Sequence, residues 1–520
     1  MLAKINSCGL TGINAYIIEV EVDIAFGLPA FNIVGLAETS VKESKERVRT
    51  AIKNSGYSFP TDRVTVNLAP ADIKKVSTGL DLPLAMGILS ASDIIPGKTL
   101  NDYLITGELS LDGRVKPVKG VLSIALAAKE NKFKGVIVPL PNADEGAMVE
   151  GIDIIGINHL CEVVDFFSGL KNIKPAKNRY LYEFDQPGTR HGKGNGIMDY
   201  SDVQGQHHAK RALEIAAAGG HNILMTGPPG SGKSMLASRL VTILPPLSFD
   251  EALETTRIHS IAGIIDDNNP IVIQRPFRSP HHTISDAGLA GGGPRPEPGE
   301  ASLAHNGVLF LDELPEFKKN VLNVLRQPLE NGFITISRAG TRTTFPSKFM
   351  LVAAMNPCPC GYSNDPDGRC ICTMAQIQRY RSKISGPLLD RIDIQIEVPP
   401  VPYEELAGRS DSLNMPESSI DIRARVEAAR KIQNQRLKDE NLFCNADMNA
   451  GQIKRYCHLN DDSEALLKKA VENFGLSARA YGRIKKLSRT IADLDSKSDI
   501  ELIHLAEAIQ YRSIDHGKDQ

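Results

Sequence analysis

The chain has 520 residues, of which 42% are hydrophobic and 23% charged, and its formal net charge is −2. This length predicts about three domains, and the near-neutral charge excludes nucleic-acid binding through an overall basic surface, so such contacts must come from local patches. No apolar run reaches transmembrane length, no secretory signal is found at the N-terminus, and eight cysteines in so long a chain fit a reducing compartment. We therefore expect a cytosolic protein without a membrane partner.

Residues 1–170 are predicted to form an α/β domain. Apolar and polar residues alternate over 15–22 and 63–68, as they do in strands, whereas 40–54 has helical spacing. This mixture of the two periodicities predicts helices packed on a sheet.

Two segments of this domain, Val76–Pro83 and Thr106–Gly120, resemble the Lon-type proteolytic domain, whose fold is shared with a module of ribosomal protein S5. The resemblance implies a serine nucleophile near Ser77 and a lysine base two residues after Gly120, where this sequence has Leu122. A serine hydroxyl is a poor nucleophile without a base that takes its proton. We therefore expect a proteolytically inactive domain.

Three further regions follow along the chain. Residues 171–198 are predicted to be a linker, because Gly, Pro and basic residues recur there without periodicity; contact of these basic residues with nucleic acid is the alternative to a solvated linker. Residues 199–400 carry the motifs of a nucleotide-hydrolysing core. Residues 401–515 repeat apolar residues at intervals of three and four, which predicts a helical lid.

A phosphate-binding loop lies between a predicted strand, Ile223–Thr226, and a predicted helix. It fits the pattern G-x4-G-K-[S/T], in which backbone N–H groups and a helix N-terminus surround phosphate oxygens. Lys233 is expected to contact the β- and γ-phosphates of ATP, and Ser234 to bind Mg²⁺. The predicted nucleotide-binding residues of the loop are Gly227, Pro228, Pro229, Gly230, Ser231, Gly232, Lys233 and Ser234.

A second apolar run, Gly307–Leu314, ends in two carboxylates and is predicted to be a parallel strand buried on both faces. Phosphoryl transfer needs a metal ion and an oriented nucleophile. Asp312 is therefore predicted to bind Mg²⁺, and Glu313 to polarise the attacking water. ATP and Mg²⁺ are the predicted cofactors.

A long Gly- and Pro-rich insertion separates these two motifs. It contains the adjacent pair His281 and His282, for which we expect a structural role, since neighbouring histidines converge poorly on one metal ion. Loops of this length inside a compact domain are usually functional or disordered.

Residues 332–345 alternate around Ala339-Gly340 and are predicted to form a β-hairpin. Arg338 and Arg342 flank its tip. The hairpin resembles one that points into the central channel of related ring motors, and this resemblance implies that both arginines contact DNA phosphates. Pairing of both arginines with acids such as Glu330 is the alternative.

The order of these motifs and of the segments that follow resembles the AAA+ ATPases. The resemblance implies that Asn356 helps to orient the attacking water, that Arg391 reaches the γ-phosphate bound by a neighbouring subunit, and that Arg479 is a second arginine sensor. It also implies that Val203 and Gly205 pack against the adenine. For Arg391, an ion pair with a neighbouring aspartate is the alternative.

The helix predicted at Ala478–Ala492 carries further basic residues. They are expected to form a solvated face, with DNA contact as the alternative; they are Arg483, Lys485, Lys486 and Arg489.

Two Cys-x-Cys pairs lie close together in the core, where four thiols are spaced to wrap one tetrahedral Zn²⁺. Free thiols and redox chemistry are the alternatives. The four candidate ligands are Cys358, Cys360, Cys370 and Cys372.

Together the Lon-like front half, the AAA+ motifs and the Cys-Pro-Cys segment resemble the YifB/ComM group of magnesium-chelatase-like AAA+ ATPases, over nearly all of the chain. The resemblance implies an α/β fold with a Lon-like domain, a P-loop core on a parallel sheet and a helical lid. It further implies a homo-oligomeric ring, expected to be a hexamer, that hydrolyses ATP. Such a ring is expected to act on single-stranded or branched DNA as a branch-migration helicase or translocase in recombination or natural transformation. A protein-remodelling or chelatase-type motor acting on a protein partner is the alternative.

Overall fold

The computed structural model describes most of the chain and divides it into two compact units. The described residues are 2–36, 39–72, 75, 78–180, 198–266, 269–293, 296–338, 341–363, 368–401, 417–440 and 442–512. Unit 1 comprises Met1–His191, Ser248–Ile273 and Ser337–Phe345, and unit 2 comprises Gly192–Leu247, Gln274–Ile336 and Pro346–Gln520. Most of the predicted linker lies outside the described residues.

Unit 1 is built on a mixed sheet. In the described residues its strand order is β3-β4-β2-β1-β5-β8-β9, and the pairs β1–β2 and β2–β4 are antiparallel, while the others are parallel. A separate small hairpin joins β6 to β7. The strands are β1 (Leu2–Thr11), β2 (Asn14–Ala25), β3 (Ala30–Val34), β4 (Arg63–Ala69), β5 (Tyr103–Ile105), β6 (Glu108–Leu109), β7 (Val115–Lys116), β8 (Gly135–Pro139) and β9 (Asp153–Ile157).

One helix of unit 1, Asp81–Ala91, is buried along its whole length. Gly87 allows it to approach the sheet, because a Cβ atom there would lie 2.5 Å from Val22 Cγ2. The buried carboxylate of Asp81 is paired with Arg47, whose Nε lies 2.8 Å from it. The helices of unit 1 are Thr39–Asn54, Asp81–Ala91, Gly97–Leu100, Val121–Glu130, Ala143–Gly146, Leu160–Phe167 and Phe249–Ala262.

The last of these helices, Phe249–Ala262, comes from the stretch that sequence analysis placed within the ATPase core. A capping box starts it: Ser248 Oγ accepts from the N–H of Glu251, and the Glu251 side chain accepts from the N–H of Ser248. The helix packs on Val121–Glu130, within unit 1.

Unit 2 contains a parallel sheet with the strand order β11-β14-β17-β10-β18 in the described residues. Because its strands are parallel, their carboxyl ends meet at one edge, where ligands bind in open α/β sheets. The strands in this half of the chain are β10 (Ile223–Thr226), β11 (Phe277–Arg278), β12 (Gly291–Gly292), β13 (Glu297–Pro298), β14 (Val308–Leu311), β15 (Phe333–Arg338), β16 (Thr341–Pro346), β17 (Met350–Met355) and β18 (Ile394–Glu397).

The predicted fold class is confirmed: the structure is mixed α/β, with a parallel sheet and a helical C-terminal region. The predicted hairpin is also present, as the strand pair β15–β16. Among the described residues, no helix combines the length and the apolar character needed to cross a membrane. The helices of unit 2 are His207–Gly219, Lys233–Ile243, Asp286–Ala290, Glu300–Leu303, Lys319–Val324, Arg326–Asn331, Met374–Arg381, Gly386–Leu389, Ser419–Leu437, Ala450–Tyr456, Asp461–Phe474, Ala478–Leu494 and Leu502–Gln510.

The prediction of a solvated basic face on Ala478–Leu494 is wrong. Lys485 and Arg489 are buried, and Arg489 donates to the carboxylate of Asp493. Arg483 donates to the buried carboxylate of Asp393, which directly precedes β18, at 2.8 Å. Arg483 therefore connects this helix to the start of β18, whereas Arg489 pairs within the helix itself.

Candidate nucleotide-binding site

The predicted phosphate loop connects β10 to the helix Lys233–Ile243, and its glycines meet two different requirements. Gly230 and Gly232 have φ angles of 78° and 86°, in a region that residues other than glycine rarely adopt. A Cβ atom on Gly227 would lie 2.2 Å from the carbonyl oxygen of Val398, so a side chain is excluded there by the backbone that follows β18. The loop conformation thus depends on glycine at all three positions.

Lys233 lies inside this loop. Its ammonium donates to the carbonyl oxygens of Gly227 and Pro228 at 2.7 and 2.8 Å. Burial lowers the pKa of this group, because the charged form loses solvation. The ammonium is therefore held by backbone carbonyl oxygens of the loop.

The two predicted magnesium ligands are brought together. Ser234 Oγ donates to Asp312 Oδ2 at 2.7 Å, although the two residues are 78 positions apart in sequence. The second oxygen of Asp312 accepts from the N–H of Glu313 at 2.9 Å. A hydroxyl and a carboxylate in contact at the end of a phosphate loop are suitable oxygen ligands for Mg²⁺.

Glu313 follows Asp312 with a φ angle of 53°, in the left-handed region. Its carboxylate is exposed and lies 3.3 Å from Nδ1 of His282, in an ion pair if the imidazole is protonated. The rings of His281 and His282 lie 4.1 Å apart. Sequence reasoning did not find the pairing of His282 with Glu313, because an adjacent histidine pair in a long insertion has no spacing that indicates its partner.

Asn356 lies directly after β17, at the same edge of the sheet as the phosphate loop. Its Oδ1 accepts from Lys233 Nζ at 3.4 Å. The structure therefore places the predicted polar sensor within hydrogen-bonding distance of the loop lysine.

Comparison with known proteins connects this site to a family. Three family models match: "Magnesium chelatase, subunit ChlI" over 199–406, "Subunit ChlI of Mg-chelatase" over 20–142, and "Magnesium chelatase, subunit ChlI C-terminal" over 416–512. The competence protein ComM of Haemophilus influenzae is 44% identical over 514 residues, which cover 99% of this chain and 98% of ComM. The chain belongs to the ComM/YifB family.

A second member of the ComM/YifB family, YifB of Escherichia coli, is 43% identical over 519 residues, with 99% of this chain and 97% of YifB covered. Lon protease 2 of Bacillus subtilis is 32% identical over 163 residues, which are 28% of this chain and 29% of that protein. The predicted resemblance is therefore confirmed, and with it an AAA+ ATPase. Membership of the ComM/YifB family implies ATP and Mg²⁺ as cofactors.

In this ComM/YifB family member, the two arginines predicted to sense nucleotide meet at one carboxylate, that of Glu330. Arg391 is buried; it donates to Glu330 and to the carbonyl oxygen of Pro387. Arg479 is exposed over 60% of its side chain, and its guanidinium lies 3.7 Å from the same carboxylate. The alternative prediction for Arg391 is an ion pair with a neighbouring aspartate, whereas in the structure its acidic partner is Glu330.

The residues predicted to contact adenine lie just before the helix His207–Gly219. Val203 is buried in the core of unit 2, and its carbonyl oxygen accepts from Lys210 Nζ at 2.5 Å. Gly205 has a φ angle of 59°, so the chain turns there in a conformation that favours glycine.

The hairpin arginines are described in part. Arg342 is exposed on β16, whereas the side chain of Arg338 and the turn residues 339 and 340 lie outside the described part of the chain. Pairing with Glu330 was the alternative for these arginines; in the structure the ion pairs of Glu330 are with Arg391 and Arg479.

The four cysteines of the ComM/YifB core form one cluster. Their sulfur atoms all lie within 4.8 Å of one another, and all are free thiols. Cys358 Sγ is 3.3 Å from Cys360 Sγ and 3.8 Å from Cys370 Sγ, and Cys360 Sγ is 3.6 Å from Cys370 Sγ. The N–H groups of Tyr362 and Ile371 donate to Cys360 and lower its pKa to about 6.

In the Lon-like region, Ser77 lies outside the described residues. Leu122, which stands where the family has its lysine base, is buried, and its N–H donates to Glu145 Oε1 at 2.9 Å. Ser260 Oγ donates to the same oxygen and accepts from the N–H of Gly120. Burial raises the pKa of Glu145. An apolar side chain and a serine–glutamate hydrogen bond therefore occupy the position at which the resemblance implies the lysine base.

Proposed function

We propose that this chain is an ATP-driven ring motor of the cytosol that acts on DNA, as a branch-migration helicase or translocase in recombination or natural transformation. The observation that supports this proposal is the similarity to the competence protein ComM along essentially the whole of both chains. Natural transformation is the uptake and recombination of DNA, so DNA is the substrate that this likeness favours. The nucleotide site described above supplies the energy source that such a motor needs.

In this proposal the residues at the carboxyl edge of the parallel sheet divide the work of hydrolysis. Lys233 binds the β- and γ-phosphates, and Ser234 and Asp312 are the Mg²⁺ ligands. The ion neutralises charge on the phosphate oxygens when it is bound. Glu313 polarises the attacking water, and Asn356 orients it. The contacts Ser234–Asp312 and Lys233–Asn356 support this assignment because they already connect its members.

The ring part of the proposal depends on arginines. Arg391 is assigned to the γ-phosphate of a neighbouring subunit and Arg479 to the second sensor, in a homo-oligomer that we propose to be a hexamer. Such fingers raise the rate of hydrolysis about 10³–10⁵-fold. In the single chain both arginines lie at Glu330, so assembly has to move Arg391 from that carboxylate to the nucleotide.

The DNA contact is assigned to the hairpin β15–β16, through Arg338 and Arg342. The exposure of Arg342 supports this assignment, because a phosphate contact needs an accessible guanidinium. Since the chain carries a net charge of only −2, the grip on DNA has to be a local feature that each subunit repeats.

The test measures ATP hydrolysis with single-stranded DNA, with a four-way junction and without DNA. We expect stimulation by DNA that is lost in Arg338→Ala/Arg342→Ala, together with weaker binding and a smaller salt dependence. The matched control is Lys468→Ala/Lys469→Ala, which removes the same charge from exposed positions of another helix. Equal stimulation in the parent and the hairpin variant would exclude this hairpin as the DNA grip.

The chelatase likeness favours a second function, remodelling of a protein partner, because the matched family models are named after a magnesium-chelatase subunit. The same assay separates the two proposals. A hydrolysis rate that no DNA structure changes, in protein whose assembly is confirmed, favours the protein-directed motor.

For the Lon-like unit we propose a role without proteolysis. The buried Leu122 has no group that accepts a proton, and the carboxylate of Glu145 beside it is already bonded to Ser260. Incubation with casein and ATP is expected to yield no fragments, with an active Lon protease as the positive control. ATP-dependent cleavage that disappears in Ser77→Ala would refute this proposal.

Zinc is the third cofactor that we propose. A tetrahedral zinc site with Zn–S bonds of about 2.3 Å places its sulfur atoms about 3.8 Å apart. The measured separations of 3.3, 3.6 and 3.8 Å between three of the sulfur atoms are close to that value. The donated N–H groups at Cys360 are the outer contacts that stabilise a thiolate ligand.

A further inference from the structure

The cysteine cluster touches the phosphate loop through a glycine. Gly361 follows Cys360 with a φ angle of 89°, and its N–H donates to the carbonyl oxygen of Cys358 at 3.0 Å. A Cβ atom on Gly361 would lie 2.5 Å from Cδ and 2.9 Å from Cγ of Pro229. The bare face of this glycine is therefore packed against the proline ring in the middle of the phosphate loop.

A second connection starts at the other end of the same segment. Cys358 comes two residues after Asn356, whose side chain accepts from Lys233. Cys358 is fully buried, so the turn that leads from β17 into the cluster is fixed in the core. The segment from Asn356 to Gly361 thus contacts the phosphate loop at Lys233 and at Pro229.

The cluster brings this segment together with a second one. Cys358 and Cys360 belong to it, whereas Cys370 and Cys372 come from the far side of the intervening loop. A metal ion shared by the two pairs would cross-link the segment to the chain that leads into the helix Met374–Arg381. Without that cross-link the four side chains are separate thiols, and the position of Gly361 is no longer fixed from outside the segment.

We propose that a zinc ion held by the four cysteines braces the phosphate loop through Gly361 and Pro229, so that nucleotide affinity depends on the metal. The proposal assumes that the loop binds nucleotide, as proposed above. A loop that samples several conformations binds more weakly in proportion to the fraction that is competent. We expect the dissociation constant of a non-hydrolysable ATP analogue to rise about tenfold when the metal is removed.

The first experiment uses the unmodified full-length protein, purified under reducing conditions without chelators. Metal analysis should find about one zinc per chain. The affinity for a fluorescent, non-hydrolysable ATP analogue is then measured before and after treatment with a zinc-selective chelator, at constant Mg²⁺. We expect weaker binding after treatment and recovery when zinc is added back.

Three variants separate the brace from the metal site. Cys370→Ser/Cys372→Ser should lose both zinc and nucleotide affinity, whereas Cys161→Ser, at a partly buried cysteine of unit 1, should keep both. Pro229→Ala shortens the side chain that touches Gly361; it should retain zinc and bind nucleotide more weakly. If the double cysteine variant does not fold, the chelator titration on the parent decides the matter.

The outcomes are distinct. Protein purified without zinc under these conditions overturns the metal site. Protein that loses zinc and binds the analogue with unchanged affinity overturns the brace. If instead Lys233→Ala binds the analogue as tightly as the parent, the phosphate loop is not the nucleotide site, and the proposed function fails independently of the metal.

Discussion

The pairing of His282 with Glu313 predicts an unusual effect of a histidine on the rate of ATP hydrolysis. The imidazole Nδ1 lies 3.3 Å from Glu313 Oε2, so it competes with water for the carboxylate that we assign to water activation. Replacement of the histidine, in His282→Ala, leaves Glu313 free to accept from water. We therefore expect His282→Ala to hydrolyse ATP faster than the parent.

The expected size of this increase in rate follows from the solvent exposure of the two side chains. The side chains of His282 and Glu313 are 31% and 55% exposed, and ion pairs that water can reach contribute about 0.5–1 kcal/mol. A difference of this size changes the population of the free carboxylate about 2–5-fold. The expected increase in kcat is therefore about 2–5-fold, and KM should stay unchanged because the phosphate loop keeps its own contacts.

The assay is steady-state phosphate release without DNA, over a range of ATP concentrations. His281→Ala is the matched control: this ring stacks on His282 and bonds to Thr283, so its removal leaves the pair with Glu313 in place. A lower kcat in His282→Ala would refute the reasoning and make His282 a positioning residue for Glu313. Equal kcat values in the parent and both variants would show that the pair has no effect on turnover.

Three further predictions concern the core. Lys233→Ala should abolish ATP binding in a filter or fluorescence assay, whereas Glu313→Gln should bind ATP and fail to hydrolyse it. Arg391→Ala should bind ATP with little turnover, and mixing it with Lys233→Ala should restore part of the activity in mixed rings confirmed by mass photometry. Asp393→Asn should unfold at lower temperature, because the buried carboxylate of Asp393 accepts from Arg483 and the substitution removes the charge of that ion pair.

The buried carboxylate of Asp393 also predicts how stability depends on pH. Burial opposes its ionisation, but Arg483 and His221 outweigh burial and hold the pKa of Asp393 below its usual range. A carboxyl whose pKa is lowered by folding stabilises the folded state above its unfolded pKa of about 3.9, and this contribution is lost as the pH falls below that value. Between about pH 5 and about pH 3, the parent should therefore lose more stability than Asp393→Asn, as measured by thermal unfolding.

The sequence predicted those features that depend on local patterns. The phosphate loop is a contiguous motif in which each glycine, the lysine and the serine are required for one physical reason. The strand β14 is an apolar run that is followed by two carboxylates. Such features can be assigned without knowing what packs on them. The contact between Ser234 and Asp312 follows from the parallel sheet, since the phosphate loop leads from β10 to the helix that contains Ser234, and Asp312 directly follows the parallel strand β14.

The features that the sequence did not reveal are contacts between distant segments. Charge spacing on Ala478–Leu494 indicates a solvated face, yet Arg483 reaches Asp393 and Arg489 is buried. The capping box of Phe249–Ala262 indicates a helix, but no local pattern states that this helix packs within the Lon-like unit. The positions of long charged side chains in particular depend on partners that only the tertiary structure brings close.

The environment of Arg391 bears on the role that we propose for it, as a finger that acts between subunits. In the single chain its guanidinium is buried and paired with Glu330, and separating a buried guanidinium from its carboxylate is ordinarily costly. Two observations reduce this cost. The side chain of Glu330 is 45% exposed, so water can solvate its carboxylate, and Arg479 lies 3.7 Å from the same oxygen with 60% of its own side chain exposed. In the proposed contact of Arg391 with a phosphate, Glu330 would therefore keep a cationic partner. Glu330→Gln removes the negative charge with which both arginines pair. The substitution should therefore alter the turnover of assembled rings more than the binding of nucleotide.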